Sequence, residues 1–244
     1  MSKRKKRRLS PGQIQGMSRV KLWAGFFSKI SYPRDLKLVV QAFLKRRIFP
    51  IPNDTWSIVE PISGFLSAKE AGFLYWAATH WPVDGPVLEL GSYEGRSTIV
   101  FARAGRHVFA VDAWSHSVAD LSAYGDGAIS TEDVLDRFKA NLRRANVESY
   151  VSIRRGLTHD IGQQWDIPGA ILFIDAGHTY ADVKCDLEIW TPHLLPGGVL
   201  IMHDVLGDVY LDVTRAASEL LRQGWCVMAS AGSSVAFTRN DMTL

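Results

Sequence analysis

Stretches of consecutive apolar residues alternate along this chain with segments in which apolar residues recur every three to four positions. From residue 86 onward the alternation is regular and predicts strands separated by helices, which is typical of a parallel sheet covered on both faces. Because no helical segment separates the last two strands, we expect them to form an antiparallel hairpin at the sheet edge. The predicted strands are 86–90, 107–111, 150–154, 170–174, 199–202, 225–229 and 234–238, and the predicted longer helices are 96–104, 133–144, 181–190 and 208–222.

The N-terminal quarter of the chain has a different pattern. Its first residues are polar and basic, with a Ser-Pro-Gly sequence that predicts a disordered arm. Apolar residues at helical spacing within 35–48 predict an amphipathic helix. Ser67 and Glu70 have the spacing of a capping box and predict the start of the next helix. We therefore divide the chain into a basic arm (1–16), a helical extension (17–63) and an α/β domain (64–244).

Charge is distributed unevenly. The formal net charge is +3, but six of the 28 basic residues lie within positions 3–8, and without them 22 basic residues face 25 acidic ones. The body of the protein therefore lacks the charge expected of a nucleic-acid-binding surface. The basic arm, followed by Leu22, Trp23, Phe26 and Phe27, could attach to an anionic membrane surface. A solvated tail beside a helix packed on the body, and tail contact with nucleic acid, are the alternatives.

Composition limits the class of protein. Apolar residues make up 47% of the 244 positions, enough for a sizeable core, and two cysteines cannot form a disulfide framework. No apolar run reaches the ~18–20 residues of a membrane span. The apolar run 22–27 is too short for a signal peptide and has a lysine close to each end. These features predict a cytoplasmic protein, with peripheral membrane contact as the alternative.

The most specific pattern lies in segment 87–98, where a strand runs into two glycines spaced four apart, Gly91 and Gly95, and then into a helix. Glu89 precedes the first glycine, and Asp112 ends the next strand, where a carboxylate can accept the hydroxyls of a ribose. The segment lacks the G-x-G-x-x-G of dinucleotide sites and the phosphate-loop motif, and an acid in the turn would repel phosphates. The pattern favours the cationic end of S-adenosylmethionine; a tight turn with incidental acids is the alternative.

Residues 88–98, 108–114, 173–180 and 195–204 resemble the class I S-adenosylmethionine-dependent methyltransferases, more narrowly the small-molecule O-methyltransferases of catechol-type and macrolide-sugar type. The resemblance implies a doubly wound, Rossmann-like sheet of seven strands in the order 3-2-1-4-5-7-6, with strand seven antiparallel. It also implies a loop over the pocket at 113–130. The expected cofactor contacts are Glu89, Gly91, Ser92, Gly95, Ser97, Asp112, Trp114 and Thr158.

Acidic and imidazole side chains follow the fourth and fifth predicted strands. Asp175 ends the fourth strand, and His203 and Asp204 end the fifth. Because neighbouring strands are ~4.8 Å apart, we expect these groups to face one small volume, with His178 on the loop above it. Such a set suits a divalent cation or acid–base chemistry.

The resemblance implies roles for these residues. Asp175 and Asp204 match the metal-binding acids of metal-dependent relatives, whereas His203 stands where the sugar enzymes carry an acid. His178 matches the general-base position. We therefore expect catalytic roles for His178 and Asp175, and a metal site of Asp175, His203 and Asp204 that takes Mg²⁺. The alternatives are a loop histidine bonded to a backbone carbonyl for His178 and a packing role for His203.

These predictions converge on O-methylation of a hydroxyl on a small molecule, a sugar or a lipid-linked glycoside, although no motif identifies the acceptor. One alternative is a non-catalytic cofactor-binding or scaffold protein that docks a partner through the basic arm. Another is a Rossmann-type oxidoreductase or hydroxylase relative, which the missing dinucleotide motif disfavours. The helical extension could also mediate a homodimer.

Overall fold

The computed structural model describes residues 33–115 and 131–239. The predicted basic arm lies outside these residues, as does most of the predicted pocket loop. Within the described residues, no helix has the length and hydropathy of a membrane span. The helices are α1 (Pro33–Leu44), α2 (Asn53–Val59), α3 (Ala68–His80), α4 (Arg96–Arg103), α5 (Thr131–Ala145), α6 (Thr158–Gly162), α7 (Tyr180–Trp190) and α8 (Leu211–Leu220). The strands are β1 (Val87–Leu90), β2 (Val108–Asp112), β3 (Val151–Arg155), β4 (Gly169–Ile174), β5 (Leu194–Met202), β6 (Trp225–Ala231) and β7 (Ser234–Arg239).

The seven strands form one sheet in the order β3-β2-β1-β4-β5-β7-β6. Strands β1 to β5 pair in parallel, and β7 pairs antiparallel with both β5 and β6. The predicted order and the antiparallel strand are therefore confirmed. Strands β2 and β3 are added on one side of β1, and β4 and β5 on its other side, so the strand order switches between β1 and β4. Ligands of doubly wound sheets bind at the carboxyl ends of the strands beside such a switch point.

Apolar side chains fill both faces of the sheet. Every residue of β1, β2 and β4 is buried, as expected for strands covered on two sides. One core contains Phe101, Phe138 and Phe173, and the other contains Leu38 and Trp190. Helices thus cover both faces of the sheet around the central strands, and the carboxyl ends of these strands remain as the site for ligand binding and catalysis.

The first helix of the helical extension ends earlier than predicted. A helix continuing to residue 48 is wrong, because α1 ends at Leu44. The backbone beyond it pairs with the edge strand β6: Arg47 N–H donates to the Ser230 carbonyl (3.0 Å), and Ser230 N–H donates to the Lys45 carbonyl (3.3 Å). Pairing with an otherwise open sheet edge outweighs continuation of the helical pattern.

Two other boundaries also differ. Strand β5 begins at Leu194, earlier than the predicted residue 199. Between the pairs Gly169–Leu194 and Ile171–Val199 the register shifts, and this bulge accommodates the turn-like sequence at the start of β5. Helix α8 is shorter than the predicted 208–222 and is followed by a 3₁₀ turn, Leu221–Gln223. The capping box at the start of α3 is confirmed, with Ser67 and Glu70 bonded reciprocally.

Candidate functional site

Two glycines shape the turn between β1 and α4, which we call the glycine turn (residues 91–95). Gly91 and Gly95 have φ angles of 86° and 93°, in the left-handed region that favours glycine. A side chain at Gly91 would overlap the carbonyl oxygen of Asp175. The absence of a side chain at Gly91 therefore lets the glycine turn lie directly against the end of β4.

Glu89 is fully buried beneath the glycine turn. Its Oε2 accepts hydrogen bonds from the hydroxyls of Ser92 (2.8 Å) and Thr98 (2.5 Å). Its Oε1 is buried and has no hydrogen-bond partner among the residues that the structure describes. Burial raises the pKa of Glu89 to about 7, although the hydroxyl hydrogen bonds of Ser97, Thr98 and Ser92 oppose the rise. An unpartnered buried carboxylate oxygen suits a cationic ligand group.

Asp112 lies at the end of β2, beside the glycine turn. Its Oδ2 accepts the backbone N–H groups of Ser92 (2.9 Å) and Tyr93 (2.8 Å), and its Oδ1 accepts the N–H of Trp114 (2.7 Å). These bonds tie the glycine turn to the loop after β2. Each carboxylate oxygen offers about two lone pairs, so the group keeps acceptor capacity for a ligand.

Two expected cofactor contacts have other partners. The Trp114 ring is fully buried, donates its Nε1–H to the Tyr93 carbonyl (2.8 Å) and packs on Phe138. The Thr158 hydroxyl donates to Oδ1 of Asp186 on α7 (2.5 Å). The structure therefore places both side chains in structural contacts, and their contact with a nucleoside stays a prediction.

Asp175, His178 and Asp204 form a compact group at the carboxyl ends of β4 and β5. One ligand atom from each lies within 4.8 Å of the others. Nε2 of His178 is 3.3 Å from Oδ2 of Asp204 and 3.9 Å from Oδ1 of Asp175. Asp204 has a φ of 56°, a conformation that costs strain in a residue other than glycine. The four residues Asp175, His178, His203 and Asp204 are called the acid–histidine group below.

His203 occupies the buried side of this group. Its Nδ1 lies 3.3 Å from Oδ1 of Asp175 and 3.4 Å from Oδ1 of Asp204, but forms no hydrogen bond of good geometry with a described residue. Its Nε2 lies 3.4 Å from Oε1 of Glu70. Burial lowers the pKa of His203, but attraction by the surrounding carboxylates, Asp175 foremost, outweighs burial and the pKa lies well above its ordinary value. The surrounding carboxylates therefore favour the protonated form of the ring.

Glu70 is a residue of this site that the sequence did not indicate for chemistry. Burial raises its pKa, but His203 and the hydroxyls of Ser67 and Ser233 outweigh burial and lower it to about 2. The capping-box spacing indicated only a helix start. Its contact with Ser233, 163 residues later in the chain, exists only in the folded protein.

Residues 88–205 resemble a known protein family. A family model described as a methyltransferase domain matches residues 88–205, which include the glycine turn, Asp112 and the acid–histidine group. The sheet order given above is the one that the class I resemblance implies. Residues 88–205 of this chain are therefore similar to a methyltransferase domain, in a sheet of the class I order.

One curated protein and several solved structures are similar to this chain. The uncharacterized protein y4gI of Sinorhizobium fredii is 30% identical in an alignment of 124 residues that covers 48% of this chain and 13% of that protein. This chain therefore spans only a small part of that relative. The structure of the O-methyltransferase NovP matches with a TM-score of 0.58 at 16% identity, over 84% of this chain and 97% of that one. The O-methyltransferase of Bacillus cereus in complex with S-adenosylhomocysteine matches with a TM-score of 0.55 at 19% identity, over 81% and 95% of the two chains. At these identities, the structural likeness establishes the fold.

Proposed function

We propose that this protein transfers a methyl group from S-adenosylmethionine to a hydroxyl of a small molecule, a sugar or a lipid-linked glycoside. The position of His178 carries the proposal. Its Nε2 lies beside the Asp204 carboxylate, on the loop after β4 whose first residue packs against Gly91 of the glycine turn. A proton acceptor next to the cofactor turn is what methylation of an alcohol oxygen requires.

Glu89 and Asp112 would hold the cofactor. The unpartnered Oε1 of Glu89 suits the ammonium group of the methionine end. Asp112, fixed by three backbone N–H groups, would accept the ribose hydroxyls. S-adenosylmethionine supplies an electrophilic methyl group on its sulfonium sulfur, so the protein's remaining tasks are to position the acceptor and to remove its proton.

His178 would take the hydroxyl proton of the acceptor at Nδ1, because its Nε2 faces the ionised Asp204 carboxylate, which can only accept a hydrogen bond. Its side chain is 29% exposed, so the proton can then pass to solvent. The neighbouring Asp204 would stabilise the imidazolium that forms. Burial raises the pKa of Asp204, but hydrogen bonds and charge from His178 and His203 outweigh burial and hold it below its ordinary value, so the group stays ionised at neutral pH.

Asp175, His203 and Asp204 would hold a divalent cation, for which Mg²⁺ is proposed because two of the three side chains are carboxylates. The buried Nδ1 of His203 supports this ligand set, because it faces both carboxylates without a hydrogen bond of good geometry. The alternative set replaces His203 by His178, since the ligand atoms of Asp175, His178 and Asp204 lie within 4.8 Å of one another. A bound cation would lower the pKa of an alcohol oxygen in contact with it. We assign ligation to His203 and proton transfer to His178 because the former ring is buried and the latter partly exposed.

Binding and turnover measurements test the proposal. Calorimetry with S-adenosylhomocysteine and with NAD is expected to show binding of the first alone. Transfer of labelled methyl from S-adenosylmethionine to a panel of catechols and monosaccharides then tests catalysis. A correctly folded chain that binds neither the methylated nor the demethylated nucleoside would rule the proposal out. Nucleoside binding that transfers no methyl group, in wild type and His178→Ala alike, would favour the non-catalytic alternative.

Membrane attachment through the basic arm and formation of a homodimer stay predictions. Binding to phosphatidylserine liposomes is compared between the full chain and a chain that starts at Ser18. Stronger binding by the full chain would support membrane attachment, and equal binding would remove it. Light scattering during size-exclusion chromatography would measure the oligomeric state directly.

A further inference from the structure

Glu70 and His203 are in contact, and both side chains are almost completely buried. Oε1 of Glu70 lies 3.4 Å from Nε2 of His203, and the two side chains are 6% and 5% exposed. The other ring nitrogen, Nδ1, lies nearest to Asp175 and Asp204. His203 thus stands between one carboxylate on α3 and two carboxylates at the strand ends.

Glu70 is itself held rigidly. Its Oε2 accepts the backbone N–H (2.9 Å) and the hydroxyl (2.6 Å) of Ser67, and its Oε1 accepts the backbone N–H and the hydroxyl of Ser233 (both 2.7 Å). Gly232, in the turn between β6 and β7, has a φ of 59°, and a side chain there would overlap the Glu70 carboxyl group. The start of α3 and the β6–β7 turn therefore fix one carboxylate directly beside His203.

These contacts exceed what a helix cap needs. A capping box uses one side-chain oxygen of the third helical residue, and glutamine serves as well as glutamate. Here Oε2 makes the cap with Ser67, whereas Oε1 faces Ser233 and His203. Capping of α3 therefore does not explain the contacts of Oε1.

We propose that Glu70 is a positioning residue for His203. Its Oε1 lies 3.4 Å from Nε2, and the Ser233 hydroxyl that donates to Oε1 is also 3.5 Å from Nε2. The negative charge of Glu70 would keep a hydrogen on Nε2 and so fix the tautomer in which the Nδ1 lone pair is directed toward the space between Asp175 and Asp204. Metal-binding histidines usually donate their second N–H to a carboxylate or a carbonyl, which sets the ring orientation and strengthens the ligand. Glu70 would be that partner. The inference rests on the proposed function only for the presence of a divalent cation.

Binding of Mn²⁺ to the full chain, followed by electron paramagnetic resonance without substrate, tests the inference. Glu70→Gln keeps the capping box but removes the charge, and should weaken Mn²⁺ binding about 10–100-fold, as loss of outer partners of metal ligands typically does. Ser67→Ala is the matched control, because it removes a hydrogen bond to the other carboxylate oxygen. It should lower Tm while leaving Mn²⁺ affinity unchanged. Equal Mn²⁺ affinity in Glu70→Gln and wild type would overturn the inference, as would equal weakening by the two substitutions.

A second measurement uses the wild-type chain and does not depend on how the variants fold. With Mg²⁺ present, nitrogen chemical shifts of the His203 ring should show a protonated Nε2 and an unprotonated Nδ1; the opposite tautomer would overturn the inference. A wild-type chain that binds no Mn²⁺ would also overturn it. Calorimetry with S-adenosylhomocysteine on the same sample then shows whether the methyltransferase proposal fails as well or stands without a metal.

Discussion

The imidazole ring of His178 stacks on the phenol ring of Tyr210, with the ring centroids 4.0 Å apart and the planes inclined by 27°. Tyr210 comes directly before α8, whereas His178 lies in the loop between β4 and α7. The start of α8 therefore restrains the ring proposed as the base, with Nε2 3.3 Å from Asp204. Because His178 lies on a loop, this stacking contact helps to fix the orientation of its ring.

Removing the ring of Tyr210 should therefore slow methyl transfer. Tyr210→Ala frees the His178 ring and is expected to lower kcat about tenfold to a hundredfold, the range that small displacements of catalytic groups produce. Tyr210→Phe keeps the stack and should retain most of the turnover. The measurement is steady-state kinetics of labelled methyl transfer. Equal losses in both variants would point to the hydroxyl of Tyr210 instead of the stack.

His178→Ala should lower kcat by about 10²–10⁴, the usual contribution of a general base. The affinity for S-adenosylhomocysteine should change little, because the side chain is expected to contact the acceptor and not the nucleoside. Turnover and calorimetry on the same sample test both statements. A variant with wild-type turnover would remove His178 from the proposed mechanism.

The pKa of Glu89, raised to about 7 by burial, predicts a pH-dependent affinity for the nucleoside. The ammonium group of S-adenosylhomocysteine should bind the ionised carboxylate, which is the minor form below pH 7. Its Kd should therefore increase about tenfold per pH unit below about 7 and be constant above it. Calorimetry between pH 5.5 and 8.5, taken as roughly spanning the transition, measures this slope. In Glu89→Gln the slope should vanish, and a sloping Kd in that variant would assign the titration to another group.

Glu70 should make the protein more stable at neutral pH than in acid. Its pKa is about 2 in the folded protein and 4.5 as an ordinary glutamate, so its contribution is fully present above about pH 4.5 and is lost as the pH falls toward 2. A difference of that size corresponds to roughly 3 kcal/mol of unfolding free energy. Urea unfolding of wild type and Glu70→Gln at several pH values tests this. Parallel curves for the two proteins would contradict the prediction.

Removal of divalent cations separates the metal-assisted form of the proposal from one that uses His178 alone. EDTA is expected to abolish most methyl transfer, and added Mg²⁺ should restore it, because a cation between Asp175 and Asp204 would lower the pKa of the acceptor hydroxyl. The control is Asp204→Asn, which removes one proposed ligand charge and should require a higher Mg²⁺ concentration. Full turnover in EDTA would show that no exchangeable cation takes part.

Much of the fold could be predicted from the sequence, because local patterns carry it. Continuous apolar strands that alternate with amphipathic helices predicted a buried parallel sheet, and the resemblance supplied the strand order that the structure confirms. The Ser67–Glu70 spacing predicted a helix start that is also confirmed. The predicted end of the first helix was wrong, because pairing of Arg47 with Ser230 depends on a strand far along the chain.

The sequence by itself determined which chemical groups lie at or near the carboxyl ends of the strands. Asp112, Asp175 and the His203–Asp204 pair stand where apolar strands stop, and Glu89 lies one residue before the end of β1. Only the tertiary structure decided the partners of these groups. In the folded protein Glu70 contacts Nε2 of His203, and the ring of Tyr210 stacks on that of His178. The side chains of Trp114 and Thr158 form hydrogen bonds within the protein. The physical reason is that strand and helix periodicities report interactions between near neighbours, whereas a buried hydrogen bond or ring contact joins residues that only chain packing brings together.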